Sequence, residues 1–293
     1  MNYYESIKQE LINNEVYKKV KDYSKNRSDL QTYYNVGKML SEAGKHYGEG
    51  IIKKYSEKLT CEVGEKYSTR YLFEMKKLYL FSKVHPLDAQ LTISHYRLLF
   101  VLKDDSEINY YINQVKLKNL SKRELQEKIK SNEYERLDEK TKEKLKNDNK
   151  LEVQDLVKNP IILNTNKEII KEKMLQQLIL ENMNNFLKEL GDGFAFIENE
   201  YKIKIGNSYN YIDLLLYNIK YKCYVVVELK ITKLKKEHIG QIETYMNYID
   251  KNIKSINQDK TIGIIITKEE DKYIMSYCSD ERIFNTTYEL QEI

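Results

Sequence analysis

From residue 6 to about 127, apolar positions recur at spacings of three and four: Ile7, Leu11, Val16 and Val20, then Val36, Met39 and Leu40, then Ile51, Ile52, Tyr55 and Leu59, then Leu72, Met75, Leu78 and Tyr79. Such spacing lines up side chains on one face of a helix. It predicts at least five helices and an all-α first domain. Breaks are expected at Gly44-Lys45-His46-Tyr47-Gly48, near Gly64, and at His85-Pro86, where the proline disfavours helix in the residue before it. Asp104-Asp105-Ser106 and Ser121 look like caps, the latter with Glu124 at the capping-box distance.

After Pro160 the pattern changes. A helical period runs from about 167 to 190 and stops at Gly191-Asp192-Gly193. Strand-like segments follow at 194–205, 209–217, 223–231 and 261–267, with a helix from about 236 to 252 before the last. This order predicts an α/β domain around a central mixed sheet, so the chain reads as an α+β two-domain protein. Val225-Val226-Val227 and Ile264-Ile265-Ile266 are apolar on both faces, which places them in central strands covered by helices on both sides. Residues 136–150 are almost all charged or polar, with only Leu137 and Leu145 to bury. They mark a boundary, giving a helical domain at 1–135, a charged linker at 136–154 and an α/β domain at 155–293.

Composition narrows the classes. The chain has 293 residues, 41% of them hydrophobic, enough for more than one core. Its 49 Lys and Arg against 45 Asp and Glu leave a net charge of +4, which excludes a histone-like basic tail or an acidic tail as the main theme. Three widely spaced cysteines, Cys61, Cys223 and Cys278, form neither a disulfide framework nor a zinc ribbon; the latter two fall in strand-like segments. No signal-like start or long apolar run is present, so a soluble, cytoplasmic protein is expected. Nor is there a phosphate-binding Gly loop, a nucleophile elbow or a dinucleotide fingerprint.

Three polar residues interrupt the apolar strands: Asp213 in Tyr-Ile-Asp-Leu-Leu-Leu-Tyr, and Glu228 and Lys230 in Val-Val-Val-Glu-Leu-Lys-Ile. Period-two geometry puts Glu228 and Lys230 on one face of their strand. A hairpin pairing Asn218 with Cys223 would set Asp213 opposite Glu228. As bare structure these residues would be a buried ion pair, yet two carboxylates and one amine are costly to bury together. A divalent cation resolves the conflict, since Mg²⁺ is held by one or two carboxylates plus water and phosphate oxygens. Such a cation makes water more acidic and offsets charge on phosphate, while Lys230 could orient the nucleophile or steady the transition state. The implied chemistry is phosphodiester hydrolysis.

These residues, with Gly240-Gln241 and Tyr245 on the following helix, resemble the PD-(D/E)xK nucleases, which share a restriction-endonuclease-like fold. More narrowly, Phe186-Leu187-Lys188-Glu189-Leu190-Gly191, Gly193-Phe194-Ala195-Phe196 and Ile212 to Tyr217 resemble the YhcG-like family, as do Gly37-Lys38, Tyr47-Gly48, Ser94-His95-Tyr96 and Ser121 to Leu125 in the first half. The resemblance implies that Asp213 and Glu228 are metal ligands with the backbone carbonyl of Leu229, that Lys230 is the catalytic lysine, and that Gln241 and Tyr245 support the site. Many members carry a Glu on the helix before the first strand; here Gln176 occupies that place, and Glu181 and Glu189 read as ordinary helix residues. The expected cofactor is Mg²⁺, with Mn²⁺ as a substitute.

Between 202 and 236 there are eight lysines against Asp213 and Glu228 alone, which suits a polyanion. Lys202, Lys204, Lys233, Lys235 and Lys236 are therefore candidate nucleic-acid contacts, with DNA as the partner and RNA not excluded. His95 reads as a helix-capping histidine, and Lys76-Lys77 and Lys122-Arg123 as solvated faces. The reading that emerges is a metal-dependent DNA endonuclease in genome defence, mobile-element control or repair and recombination, its helical domain engaging DNA, a protein partner or a second copy. The alternative is a catalytically inactive nucleic-acid-binding module on the same fold.

Overall fold

The computed structural model describes residues 2–20, 25–147 and 149–292, and side chains within 2–15, 29–147 and 149–292, so Val16 and Val20 lie outside the described side chains. The chain divides into two units, Met1–Asn132 and Glu133–Ile293.

In the first unit the three-and-four spacing becomes helices α1 (Tyr3–Val20), α2 (Lys25–Tyr47), α3 (Ile51–Glu62), α4 (Thr69–Phe81), α5 (Ile93–Leu99), α6 (Asp105–Lys118) and α7 (Lys122–Lys130). Ile7, Leu11, Val36, Leu40, Ile52, Leu59, Leu72, Met75 and Leu78 are buried as the periodicity requires. The break expected over Gly44-Lys45-His46-Tyr47-Gly48 falls at its last residue and not at Gly44. A glycine inside a helix costs only about 1 kcal/mol, and α2 continues to Tyr47, stopping where Gly48 turns to φ +78°. Gly37 is needed for another reason: a β-carbon there would collide with the Met75 carbonyl, so α2 and α4 meet backbone to backbone. Ser121 and Glu124 close the capping box at 3.3 and 2.7 Å. His95 Nδ1 accepts from the Thr92 amide at 3.1 Å, the structural role the sequence suggests, and Lys76 pairs with Glu49.

The second unit holds α8 (Glu139–Lys146), β1 (Ile161–Asn164), α9 (Glu172–Glu181), α10 (Met183–Leu190), β2 (Phe194–Ile205), β3 (Ser208–Asn218), β4 (Cys223–Leu229), α11 (Lys236–Asn252), β5 (Ile262–Thr267), α12 (Lys272–Ser276) and β6 (Ile283–Gln291). One six-stranded sheet runs β1-β6-β5-β4-β3-β2. The β2-β3-β4 meander is antiparallel, while β4, β5, β6 and β1 pair in parallel. The sheet is mixed, and helices cover both faces. Val225, Val227, Ile264 and Ile266 pack with Leu175, Ile179 and Phe186 of α9 and α10. Val226 and Ile265 pack on the other side with Ile242, Met246 and Ile249 of α11.

Four details differ from the sequence expectation. Two further strands, β1 and β6, extend the sheet. The helix expected over 167–190 begins at Glu172 and is divided at Asn182, whose side-chain amide donates to the Leu178 carbonyl at 3.3 Å. Cys278 lies after α12 rather than in a strand, whereas Cys223 opens β4. The charged stretch 136–154 is folded and groups with the second unit: Asp155 is buried, accepting from Thr141 Oγ1 at 3.1 Å and Lys144 Nζ at 2.8 Å. Among the described residues, no helix is long and apolar enough to cross a membrane.

Candidate active site

The hairpin register is the one that the strand pattern suggests, with Asn218 opposite Cys223 and Leu214 opposite Val227. The ladder ends there. Beyond it Asp213 turns toward β4, where its Oδ2 accepts from the Leu229 amide at 2.7 Å. Glu228 and Lys230 flank Leu229, and Lys230 Nζ donates to Glu228 Oε2 at 3.2 Å and stands 3.9 Å from Asp213 Oδ2. The Lys230 amide is tied to the Ile266 carbonyl of β5 at 2.8 Å, so the loop leaving β4 starts from a fixed point. Asp213, Glu228 and Lys230 thus converge.

A fourth charge joins them. Glu172, in the first turn of α9, places Oε2 3.7 Å from Lys230 Nζ. The sequence pattern draws attention to Gln176 on this helix, and Gln176 is indeed buried at the site, but its amide donates to the Asp213 carbonyl at 3.0 Å and holds that strand in place. Glu172 is one helical turn earlier, on the same face by the i, i+4 rule. That spacing is the signal that could have found it. Glu181 accepts from Gln177 at 3.2 Å, and Glu189 pairs with Arg136, so neither belongs to this cluster.

The electrostatics are unbalanced. Burial pushes the Glu228 carboxyl up to about 8, and the neighbouring Asp213 adds to the rise. Asp213 is also raised, by burial first and by Glu172 and Glu200 further off, against the Leu229 amide and Lys230. For Lys230, burial opposes the charge, but Glu228, Asp213 and Glu172 prevail and hold its pKa above the ordinary lysine value. Glu228 Oε1 is buried with no hydrogen-bond partner among the described residues. A buried carboxylate oxygen without a donor is costly, and a hard cation is the partner its chemistry suits. Among the described residues, no three His, Cys, Asp or Glu form a cage that could hold a metal unaided. Two carboxylates and open coordination positions are nevertheless what Mg²⁺ accepts.

The remaining candidates lie on β2, on α11 and on the segment between β4 and α11. On α11, Gln241 donates to the Tyr245 hydroxyl at 3.1 Å, and Tyr245 is buried within the field of Glu228, Lys230 and Asp213. Lys202 and Lys204 lie over the ring of Tyr209 at 3.9 and 5.9 Å. Lys233 pairs with Asp271 at 3.0 Å and Lys235 with Glu237 at 3.8 Å, while Lys236 opens α11. Among the described residues, none of these five lysines is paired with Asp213 or Glu228. Leu229, the last residue of β4, is itself buried in the core under α9 and α10, its amide committed to Asp213.

A helical first unit and a mixed sheet carrying Asp213, Glu228 and Lys230 where the β3–β4 ladder ends define the two-part architecture of a PD-(D/E)xK nuclease with a helical companion. Residues 154–292 match the YhcG PDDEXK nuclease domain and residues 8–136 match the DUF1016 N-terminal domain, so the chain belongs to the YhcG-like family of these nucleases. It is 23% identical over 287 residues to YhcG of Escherichia coli (strain K12), named as a candidate nuclease, covering 82% of this chain and 76% of that one. Two solved structures resemble part of it. One is a repair endonuclease from Pyrococcus abyssi, at 18% identity and TM-score 0.30 over 44% of this chain and 50% of that one. The other is an EndoMS-dsDNA2 complex, at 20% identity and TM-score 0.30 over 44% and 48%. The chain spans about half the length of these two, and likenesses this slight carry no argument about function.

Proposed function

We propose that this chain is a Mg²⁺-dependent DNA endonuclease that hydrolyses phosphodiester bonds at the cluster of Asp213, Glu228 and Lys230, with Mn²⁺ as an alternative cation. The observation that carries the reading is the partnerless, buried Glu228 Oε1 beside a second raised carboxylate. Asp213 and Glu228, with the carbonyl of Leu229, would hold the cation. When bound, it supplies Lewis acidity and makes water acidic enough to ionise near neutrality. Lys230, anchored between the carboxylates, offers its ammonium to a phosphate oxygen and to the attacking water. In hydrolysis the water oxygen bonds to phosphorus and loses a proton, one ester P–O bond breaks, and the departing oxygen takes up a proton. Gln241 and Tyr245 would steady the α11 side, and Glu172 adds negative charge where the family's helix carboxylate is replaced by Gln176. Lys202, Lys204, Lys233, Lys235 and Lys236 would contact the DNA backbone, which reads phosphate charge and not sequence. Genome defence, mobile-element control or repair is the role this activity suits.

The test is cleavage of supercoiled, linear, branched and single-stranded DNA with Mg²⁺, Mn²⁺ or EDTA, with Lys230→Ala alongside. Metal-dependent cutting that disappears in the variant is the expected outcome. Undiminished cutting by Lys230→Ala overturns the site, and DNA binding without cutting by either protein favours the inactive binding module.

A further inference from the structure

Beyond Asp213 the β2–β3 ribbon has one buried face and one bare face. Its two strands pair Tyr201 with Ile212, Lys202 with Tyr211, Ile203 with Asn210 and Lys204 with Tyr209. Directly opposed residues in an antiparallel pair share a face. Ile203 and Ile212 are buried with the α11 cluster, and Tyr201 and Ile205 pack against it. Lys202, Lys204, Tyr209 and Tyr211 therefore lie on the opposite face, and no core residue covers them: Tyr209 is 56% exposed and Tyr211 52%. From Tyr201 to Ile212 the ribbon carries two lysines and no acidic residue. Both ammonium groups are gathered over one tyrosine ring, and Tyr211 is two residues from Asp213, about 7 Å along the strand.

Exposed aromatic rings alternating with cations suit a chain of stacked bases with phosphates beside them. Paired bases are already stacked on each other and offer the rings nothing, whereas unpaired bases have free faces. We propose that the bare face of the β2–β3 ribbon is the track for an unpaired strand of the substrate, with Tyr211 and Tyr209 stacking successive bases and Lys202 and Lys204 facing its phosphates. This rests on the nuclease reading and adds to it a substrate class, nucleic acid with unpaired nucleotides next to the cut. Continuity with Asp213 and the positive charge of the stretch from Tyr201 to Ile212, with Glu200 at its Asp213 end, favour this occupant over a second copy of the chain.

The experiment uses the full chain in EDTA, titrated by fluorescence anisotropy into a labelled oligothymidylate and a labelled duplex of equal length. Tyr209→Ala with Tyr211→Ala should weaken oligothymidylate binding about tenfold or more and change duplex binding by about twofold or less. Phe at both positions should restore wild-type binding, because the ring is kept. The salt dependence should stay as in the wild type in the alanine pair, and should fall in Lys202→Ala with Lys204→Ala, which removes phosphate contacts. All four side chains are solvent-facing, so melting temperatures should match the wild type. Unchanged single-strand binding in the alanine pair, or an equal loss for both probes, overturns the proposal. So does light scattering showing that the substitutions split a dimer. If those outcomes accompany normal Mg²⁺-dependent cutting by the wild type, the nuclease reading stands and only the track falls; a wild type that binds neither probe and cuts nothing overturns both.

Discussion

The second unit buries two clusters of charge, and they are built in opposite ways. In one, Arg136 and Lys158 meet Glu133 and Glu189, two cations against two anions. Arg136 also donates to the Pro160 carbonyl at 2.8 Å, Lys158 to the Lys188 carbonyl at 2.6 Å, and Glu189 accepts from the Ile162 amide at 3.0 Å. Lys158 stands 3.6 Å from Glu133 and 4.0 Å from Glu189. In the other, Lys230 alone faces buried Glu228, Asp213 and the half-exposed Glu172, and one oxygen of Glu228 has no partner among the described residues. Burial of charge is tolerated when each group is paired and hydrogen-bonded, and the first cluster meets that condition. It joins the chain after residue 132 to α10 and β1. The second violates the condition in the direction of excess negative charge, which is where a cation would be received. Charge balance, more than burial, separates the group that serves the fold from the one proposed to serve the chemistry.

Substitution should separate the two clusters sharply. The largest expected effect is on turnover: Lys230→Ala should lower Mg²⁺-dependent cleavage by about a hundredfold to a thousandfold, since one positioned charge at a phosphoryl centre contributes on the order of 3–4 kcal/mol to the barrier. Its melting temperature should fall less, because Glu228, pushed up to about 8, can hold a proton when the ammonium is gone. Glu189→Ala should do the reverse. Removing one partner of a buried pair costs about 3–5 kcal/mol; here Arg136 loses its Glu189 carboxylate and the Ile162 amide loses its acceptor, a loss that for a domain of this size lowers the melting temperature by roughly 10 °C. Cleavage per folded molecule at low temperature should persist. If Glu189→Ala melts like the wild type, the contrast between the clusters is wrong.

Mg²⁺ offers a third, smaller test. At a hundredfold excess over its dissociation constant, a ligand that binds only the folded chain stabilises it by about 2.7 kcal/mol. Scanning calorimetry should show the second unit melting several degrees higher with Mg²⁺ than with EDTA. Asp213→Asn should remove that shift and Glu189→Gln should retain it. A shift that survives Asp213→Asn would place the cation elsewhere.

Much of this contrast was legible in the sequence, and the parts that were not have physical reasons. Asp213, Glu228 and Lys230 stood out because polar residues interrupt strands that are apolar on both faces, and the Asn218–Cys223 register follows from the hairpin's length. Glu172 was hidden because Ile169 and Ile170 extend the apolar period ahead of it, so that it read as mid-helix when it opens α9. β1 has four residues, too few for a periodicity, and pairs with β6 across more than half of the second unit's sequence. β6 carries Asn285-Thr286-Thr287 where a buried strand would be apolar; Thr286 instead donates to the Lys158 carbonyl at 2.8 Å and Asn285 to the Ile265 carbonyl at 2.7 Å. The balanced cluster was unreadable for the same reason: Arg136, Lys158 and Glu189 lie in stretches of ordinary surface composition, and only the fold brings them together.

The finest test uses pH. Unfolded, the Glu228 carboxyl titrates near an ordinary glutamate value, about 4.3; in the folded chain burial and Asp213 push it up to about 8. Between those values the folded state keeps a proton that the unfolded state has lost. Stability therefore falls as pH rises through this window and levels off above it, the sign that linkage requires when the folded state binds more protons. Asp213, also raised, adds a slope of the same sign. In EDTA the melting temperature of the second unit should decline from about pH 5 to about pH 8. Glu228→Gln should flatten most of that decline and, above pH 8, melt a few degrees higher than the wild type, because the like-charge pair is gone. Glu189→Gln should melt lower at every pH. Adding Mg²⁺ to the wild type should weaken the decline too, since cation and proton compete for the same oxygens. A wild-type profile that is flat in EDTA, or that rises with pH, would mean that Glu228 has a partner after all, and the distinction between the balanced and the unbalanced cluster would collapse.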